Sequence, residues 1–326
     1  MINRDNSELG IDQKIKLGIS SCLLGEKVRY DGGHKLDHYL KDTLGRFVEW
    51  TPVCPEVECG LSVPREAMHL TGSADAPRLV TRRTGLDYTG QMQQWAAQKI
   101  IELQKADLSG FIFKSKSPSS GLSGVKVYDA HGVPGRKGIG IFAKIFMEFL
   151  PLVPVEDEGR LKDPELRENF IERVFVYRRW QEYLRTDRSV KGLIAFHTNH
   201  KLLLLSHSTR HYTYLGRLVA EAKNRKPSDL HSEYVSTLMD GLRLIATVRK
   251  NTNVLQHIAG YFKKKLSPDE KQELIGIIET YHRQLVPLIV PITLVNHYAR
   301  KFEDPYLRRQ HYLNPHPLEL MLRNHA

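Results

Sequence analysis

The sequence contains only three cysteines, Cys22, Cys54 and Cys59, in 326 residues. So small and odd a number argues against a disulfide framework, because disulfides pair their thiols and the domains that depend on them are rich in cysteine. Metal ligation, redox chemistry and simple burial in the core are the roles left for these thiols.

No apolar run is long enough to cross a bilayer. A transmembrane helix needs about 18 or more consecutive apolar residues, and the longest candidate, 285–295, is interrupted by Pro287 and Pro291. The first nine residues are polar and of mixed charge, which does not fit a signal peptide. The sequence therefore predicts a cytoplasmic protein without a membrane span.

Acidic residues are scarce in the C-terminal part of the chain. Residues 201–326 hold 19 Lys and Arg against 11 Asp and Glu, whereas residues 1–200 hold 29 against 26. Most of the formal net charge of +11 therefore lies after residue 200. A basic domain attached to a nearly neutral one indicates a polyanionic partner, although a basic solvated surface would have the same composition.

Two different periodicities divide the chain into domains. Strand-like apolar runs alternate with helical segments in the first half, which predicts an α/β sheet. Helical periodicity dominates after residue 190, which predicts an all-α bundle. We predict a Rossmann-like α/β domain over 1–160, a connecting helix and linker over 161–190, and a basic helical domain over 191–326.

Three of the predicted strands end in loops that are rich in Cys, Ser, Gly and Pro. The strands are predicted at 16–20, 47–53 and 110–113, and the loops read SSCLLG (20–25), CPEVECG (54–60) and KSKSPSSG (114–121). Ligands of open parallel sheets bind beyond the carboxyl ends of the strands, so these loops are expected to converge on one site.

The residue types in these loops point to iron–sulfur chemistry. Iron–sulfur clusters take thiolate ligands, and Cys22, Cys54 and a residue of the third loop could supply three of them. Glu56 is close enough to Cys54 to act as a general acid or base, and Ser117 and Ser119 could donate hydrogen bonds to a substrate carbonyl. Taken singly, a surface carboxylate and a turn serine are the more frequent roles of such residues.

In combination, the three loops resemble a known family. The segments SSCLLG (20–25), CPEV (54–57) and SPSSG (117–121) look like the three motifs of the thiouracil desulfidase family. The helical part resembles the domain that accompanies it in tRNA 4-thiouridine desulfidases, through HTNHK (197–201) and QHIAGYF (256–262).

The resemblance implies a 4Fe-4S cluster held by three protein ligands, which correspond here to Cys22, Cys54 and Ser120. It implies that Glu56 manages protons and that Ser117 orients the base. The implied reaction removes the sulfur of 4-thiouridine in tRNA, giving uridine and sulfide. A tRNA that contains 4-thiouridine is then the expected partner.

Ser120 departs from the family pattern, which has cysteine at this position. A serine oxygen is a hard ligand with a high pKa and a poor substitute for a thiolate. Three explanations are open: Ser120 is a laboratory substitution, Cys59 serves as the third ligand, or the chain is a natural relative with a weakened cluster. The remainder of the motif is intact, which favours the first explanation.

Basic residues of the helical domain lie beside aromatic ones in two short segments. Such interleaving suits contact with an RNA backbone and stacking on its bases, although it also suits a solvated helix end. The predicted RNA-binding residues are Lys263, Lys264, Lys265, Arg308 and Arg309.

Two other functions fit the same sequence. The first is a non-catalytic RNA-binding or interaction protein whose cluster site has decayed, as Ser120 could signal. The second is a desulfidase of free thiouracil, in which the helical domain serves oligomerisation.

Overall fold

The structure is a computed structural model that describes residues 15–129 and 131–325. The described residues up to Asp163 form one compact unit, and those from Pro164 onward form another. Among the described residues, no helix is both long and apolar enough to cross a membrane. The N-terminal nine residues, for which the sequence predicts no signal peptide, lie outside the described part, as does the start of the predicted first domain.

A four-stranded parallel sheet forms the centre of the first unit. Its strands are β1 (Ile15–Ser20), β2 (Val48–Val53), β5 (Gly110–Phe113) and β8 (Val155–Asp157). They lie in the order β2-β1-β5-β8, and all three pairings are parallel. Every residue of β5 is buried, as expected for the inner strands of a sheet that is covered on both faces.

Three helices accompany this sheet, namely α1 (Pro55–Glu58), α2 (Thr89–Lys105) and α3 (Ile141–Phe149). Helix α2 buries Met92, Ala96, Ile100 and Leu103, which recur at the helical period. Helix α3 buries Phe142 and Phe146, whose rings pack against Phe111 of β5 with centroids 6.0 and 4.9 Å away. The predicted α/β class is confirmed.

A second sheet in the same unit was not predicted. It contains β3 (Met68–Gly72), β4 (Pro77–Thr81), β6 (Val125–Tyr128) and β7 (Pro134–Gly138), in the order β4-β3-β6-β7. No strand was predicted in any of these four segments. Strand β7 reads PGRKG, and its proline and glycines indicate a turn rather than a strand.

The second unit is helical, which confirms the predicted all-α class. Its helices are α4 (Pro164–Thr186), α5 (Val190–His207), α6 (Thr209–Ala220), α7 (Pro227–Leu242), α8 (Val248–Tyr261), α9 (Pro268–His282) and α10 (Ile289–Lys301). Short connections join consecutive helices, and Ser267 closes a capping box at the start of α9.

Helix α4 differs from its predicted role as a connecting helix within 161–190. It belongs to the helical unit, and it buries Phe170, Val174 and Trp180. The Trp180 ring stacks on that of Tyr234 in α7 with centroids 5.5 Å apart. A solvent-bridging linker would not bury side chains of this size, so α4 is an integral part of the bundle.

A buried charge network ties the C-terminal segment to α4. The Arg323 guanidinium donates to the carboxylates of Glu168 and Glu172 over 3.0 and 2.7 Å, and His207 of α5 lies 3.1 Å from Glu172. Burial opposes ionisation of Glu172, but His207 and Arg323 outweigh it and lower the pKa of Glu172 to about 2. The Arg323 guanidinium therefore compensates the buried charge of Glu172 inside the bundle.

The third motif loop is fixed by contacts with the start of α3. Gly140 donates its backbone N–H to Gly121 over 2.8 Å, and Phe142 donates to the Ser119 carbonyl over 2.9 Å. A Cβ atom on Gly140 would lie 2.5 Å from the carbonyl carbon and oxygen of Ser119. Only glycine allows this close approach.

We therefore expect Gly140→Ala to destabilise the protein by about 1–3 kcal/mol, the usual cost of overpacking. The matched control is Gly90→Ala in α2, where an added Cβ meets no atom within 4 Å. The control should be neutral or stabilising by at most about 1 kcal/mol. Thermal unfolding of the full chain measures both effects, and equal melting temperatures for the two variants would contradict the prediction.

Candidate active site

The carboxyl ends of β1, β2 and β5 open into one cavity of about 400 Å³. The register pairs Ser20 with Val53 at the ends of β1 and β2, and Ile19 with Ile112 in β5, so the three following loops start side by side. Residues from all three loops line the cavity, including Cys22, Cys54, Glu56, Ser117 and Ser120. The structure thus brings together all predicted site residues of the first unit.

The two cavity thiols are buried and lie in well-defined turns. Cys22 lies in a 3₁₀ turn (Ser21–Leu24) that directly follows β1, and the turn ends at Gly25 with a φ of 96°. Cys54 is the N-cap residue of the short helix α1, and its backbone N–H donates to Glu58 over 2.8 Å. Burial raises the pKa of Cys22 to about 11 and that of Cys54 to about 12. Binding of a metal by these residues must therefore release protons.

Glu56 links the second loop to the third. Its Oε1 atom accepts a hydrogen bond from the Ser119 hydroxyl over 2.6 Å, and its Oε2 atom lies 3.6 Å from the Cys54 sulfur. Arg65 approaches the same Oε2 atom to 3.8 Å. The carboxylate is therefore held at the cavity between a hydroxyl, a thiol and a guanidinium.

Ser119 is a site residue whose structural role the sequence did not reveal. It is fully buried, and its hydroxyl lies 2.9 Å from that of Ser117. Only the pairing with Glu56 in three dimensions identifies Ser119 as the residue that orients this carboxylate.

Ser117 organises the third loop around Ser120. Its hydroxyl oxygen accepts hydrogen bonds from the backbone N–H groups of Ser119 and Ser120 over 3.3 and 3.2 Å. Ser120 is 3% exposed, and its hydroxyl lies 3.4 Å from that of Ser119. Ser117 therefore shapes the turn while it also lines the cavity, so its local role and the predicted contact with substrate are compatible.

Cys59 lies in a different environment from the other two cysteines. Its thiol donates to the backbone carbonyl of Glu56 over 3.3 Å, and it packs in an apolar cluster with Leu70, Leu79 and Met92. It is absent from the side chains that line the cavity. This placement assigns Cys59 to the core of the unit.

An ion pair joins the residues that follow the ends of β5 and β8. Lys114 and Glu158 form an ion pair, and Glu158 also accepts hydrogen bonds from the backbone and the hydroxyl of Ser115, both over 2.7 Å. Burial opposes ionisation of Glu158, but Lys114 and Ser115 outweigh it and lower its pKa. Glu158 fixes the start of the third loop, a role that its position after a three-residue strand gave no reason to expect.

In the helical unit, the two predicted RNA-binding segments are neighbours. Lys265 forms a 3.1 Å ion pair with Asp304, and the ring of Tyr261 stacks on Tyr306 with centroids 5.1 Å apart. The Nζ atom of Lys201 lies 4.8 Å from the centre of the Tyr306 ring. The remaining predicted residues, Lys263, Lys264, Arg308 and Arg309, are exposed beside these contacts.

Two protein-family models match the chain. The model described as 2-thiouracil desulfurase matches residues 17–158, and a model described as a protein of unknown function, DUF1722, matches residues 201–317. The first match covers the unit that contains the cavity, and the second lies within the helical unit.

Three relatives share sequence with the chain. The uncharacterized protein YbgA of Escherichia coli (strain K12) is 32% identical over 134 residues, which are 41% of this chain and 79% of YbgA. The uncharacterized protein YbbK of Bacillus subtilis (strain 168) is 29% identical over 108 residues, 32% of this chain and 71% of YbbK. A solved structure, the 4Fe-4S-dependent thiouracil desulfidase TudS, is 32% identical, covers 48% of this chain and 97% of TudS, and gives a TM-score of 0.38.

The match to the 2-thiouracil desulfurase model agrees with the resemblance that the three motif loops carry. Residues 17–158 therefore match the 2-thiouracil desulfurase family and residues 201–317 match the DUF1722 family, so the chain joins these two domains.

Proposed function

We propose that the chain removes sulfur from 4-thiouridine in tRNA, with a 4Fe-4S cluster as its cofactor. The observation that carries the proposal is the convergence of Cys22, Cys54, Ser120 and Glu56 on one cavity. The match to the 2-thiouracil desulfurase model supports desulfuration of a thiopyrimidine. The exposed lysines and arginines beside Tyr261 and Tyr306 in the helical unit favour an RNA substrate over a free base.

The cavity residues fit an iron–sulfur cluster at two positions and fit it poorly at a third. Cys22 and Cys54 offer soft sulfur donors, whereas Ser120 offers a hydroxyl where the family motif has cysteine. Cys59 lies in the apolar core and donates to a backbone carbonyl, so it does not replace the missing thiol. A cluster held by Cys22, Cys54 and Ser120 would therefore be weakly bound.

When bound, the cluster would supply a Lewis-acidic iron that polarises the thiocarbonyl group. The residues of the chain would then carry out the proton transfers. Glu56 lies beside the cavity with its carboxylate oriented by Ser119, and it would take a proton from the water that attacks the ring carbon. Ser117 lines the same cavity and would orient the pyrimidine ring.

We expect Ser120→Cys to raise the iron and sulfide content after anaerobic reconstitution several-fold above that of the parent chain. The reason is that a third thiolate replaces a hard hydroxyl ligand. Desulfuration of thiolated tRNA should rise in parallel. Metal analysis and the visible absorbance spectrum measure the change.

Cys59→Ser is the matched control, because it also exchanges a side-chain sulfur and oxygen, but at a cysteine outside the cavity. It should leave the iron content of the Ser120→Cys protein unchanged, whereas Cys22→Ser should lower it. Loss of iron in Cys59→Ser would show that Cys59 is a ligand and would contradict the assignment.

Replacement of Glu56 by Gln keeps the shape of the side chain and removes its capacity to accept a proton. In the Ser120→Cys background, we expect the rate of uridine formation to fall by about 100- to 10,000-fold, the usual contribution of general acid–base catalysis. Iron content should not change, because Glu56 is not a ligand. A rate within threefold or so of the parent would refute the proposed role.

The contacts of the helical unit support RNA as the substrate carrier. Tyr261 is 39% exposed, and its stack with Tyr306 offers a face on which a base could continue the stacking. Lys263 and Lys264 follow Tyr261 after one buried residue and are exposed, and Arg308 and Arg309 likewise follow Tyr306 after one buried residue. Aromatic rings flanked by unpaired lysines are typical of single-stranded RNA contacts.

We expect the double variant Lys263→Ala/Lys264→Ala to bind tRNA more weakly and to reduce the slope of log affinity against log salt by about one per lysine. Lys265 is left in place because its pairing with Asp304 is structural. The control is Lys223→Ala/Lys226→Ala, which removes the same charge from the α6–α7 connection. Equal loss of affinity in both double variants would mean that net charge alone governs binding.

A further inference from the structure

Arg65 lies in the wall of the cavity, outside the three motif loops, and it donates three hydrogen bonds to backbone carbonyls. Its backbone N–H donates to the carbonyl of Tyr30 over 2.8 Å. Its Nη1 atom donates to the carbonyls of Val28 and Ser62 over 3.0 and 3.3 Å. The side chain is 10% exposed. These contacts fix the guanidinium at the seam between the first and second loops.

One edge of this guanidinium makes no hydrogen bond. The Nε atom is buried and has no hydrogen-bond partner among the described residues. The Nη2 atom, on the same edge, is 3.8 Å from the Oε2 atom of Glu56, which is too far for a hydrogen bond. The edge formed by Nε and Nη2 is the one with which arginine binds an oxygen through two parallel N–H groups.

A buried N–H group without a partner is costly, and in a native protein it calls for a ligand or another explanation. Arg65 lines the cavity together with Cys54 and Glu56, so its unused edge belongs to the same site. The carboxylate of Glu56 accepts a hydrogen bond from Ser119 over 2.6 Å through Oε1, and its Oε2 atom stays beyond hydrogen-bond distance of Nη2. The Nη2 end of this edge is therefore available to a molecule that enters the cavity, whereas Nε is covered by surrounding protein atoms.

We propose that Arg65 binds the exocyclic oxygen of the thiopyrimidine, that is, the oxo group at the ring carbon that does not carry the sulfur. This inference rests on the proposed function. A pyrimidine with one sulfur and one oxygen presents two different exocyclic acceptors. A charged N–H donor selects the oxygen, because sulfur is the poorer hydrogen-bond acceptor. Arg65 would thus place the oxygen on its own side of the ring and direct the sulfur toward Cys22 and Cys54.

The proposed contact is tested with uracil, pyrimidin-2-one and pyrimidin-4-one. Each of the last two lacks one of the two exocyclic oxygens of uracil. The dissociation constants of these three ligands are measured by equilibrium dialysis with the full chain after anaerobic reconstitution. Uracil should bind about 10- to 100-fold more tightly than pyrimidin-4-one, which lacks the C2 oxygen that 4-thiouridine retains, as expected for a hydrogen bond to a charged group. That ratio should fall to about one in Arg65→Met.

Arg65→Lys protects the test against misfolding, because it keeps the positive charge and can still donate to the carbonyl of Val28. It lacks the two-donor edge, so the ratio should be lost here as well. Arg82→Met is the matched control, since Arg82 lines the same cavity but is exposed. It should keep the ratio of the parent chain.

Two outcomes would overturn the inference alone. One is a ratio that persists in Arg65→Met and Arg65→Lys, and the other is an equal weakening of all three ligands. The proposed function is overturned separately, if the Ser120→Cys protein does not desulfurate thiolated tRNA.

Discussion

Parallel pairing of β1, β2, β5 and β8 is the constraint on which the site depends. Parallel strands place their carboxyl ends at one edge of the sheet, so residues that are distant in the sequence become neighbours there. The pairing of Ser20 with Val53 brings the loops of Cys22 and Cys54 together, and β5 between β1 and β8 adds the serine-rich loop. Each loop is then fixed by local contacts, such as the Glu56–Ser119 hydrogen bond and the Lys114–Glu158 ion pair.

Three strands of this sheet, β1, β2 and β5, could be predicted because their residues carry a local signal. Strand β5 is a short apolar run bounded by glycine and polar residues, and β1 and β2 lead into turn-forming motifs. The second sheet carried a weaker signal, because its strand β6 alternates buried and more exposed residues over only four positions. Its strand β7 is polar and rich in glycine, and it exists because β6 pairs with it, which is a tertiary interaction.

Of the site, the sequence predicts the residues that belong to motifs and misses the residues outside them. Cys22, Cys54, Glu56 and Ser117 belong to short motifs that can be read from the sequence. Arg65 and Glu158 carry no motif signal, because their importance comes from the carbonyls, hydroxyls and amines that the fold places around them. Residues of this kind are identified by their hydrogen-bond partners, and a single sequence does not contain that information.

The central claim is that one iron–sulfur cluster is held where the three loops converge, and its most direct test is an anomalous-scattering map at the iron absorption edge. The crystals would be grown anaerobically from the reconstituted Ser120→Cys protein, so that the third loop offers a thiol. The account predicts a single iron peak in the cavity, in contact with the side chains of residues 22, 54 and 120. Iron bound at Cys59, or at the acidic groups of the helical unit and not in the cavity, would contradict it.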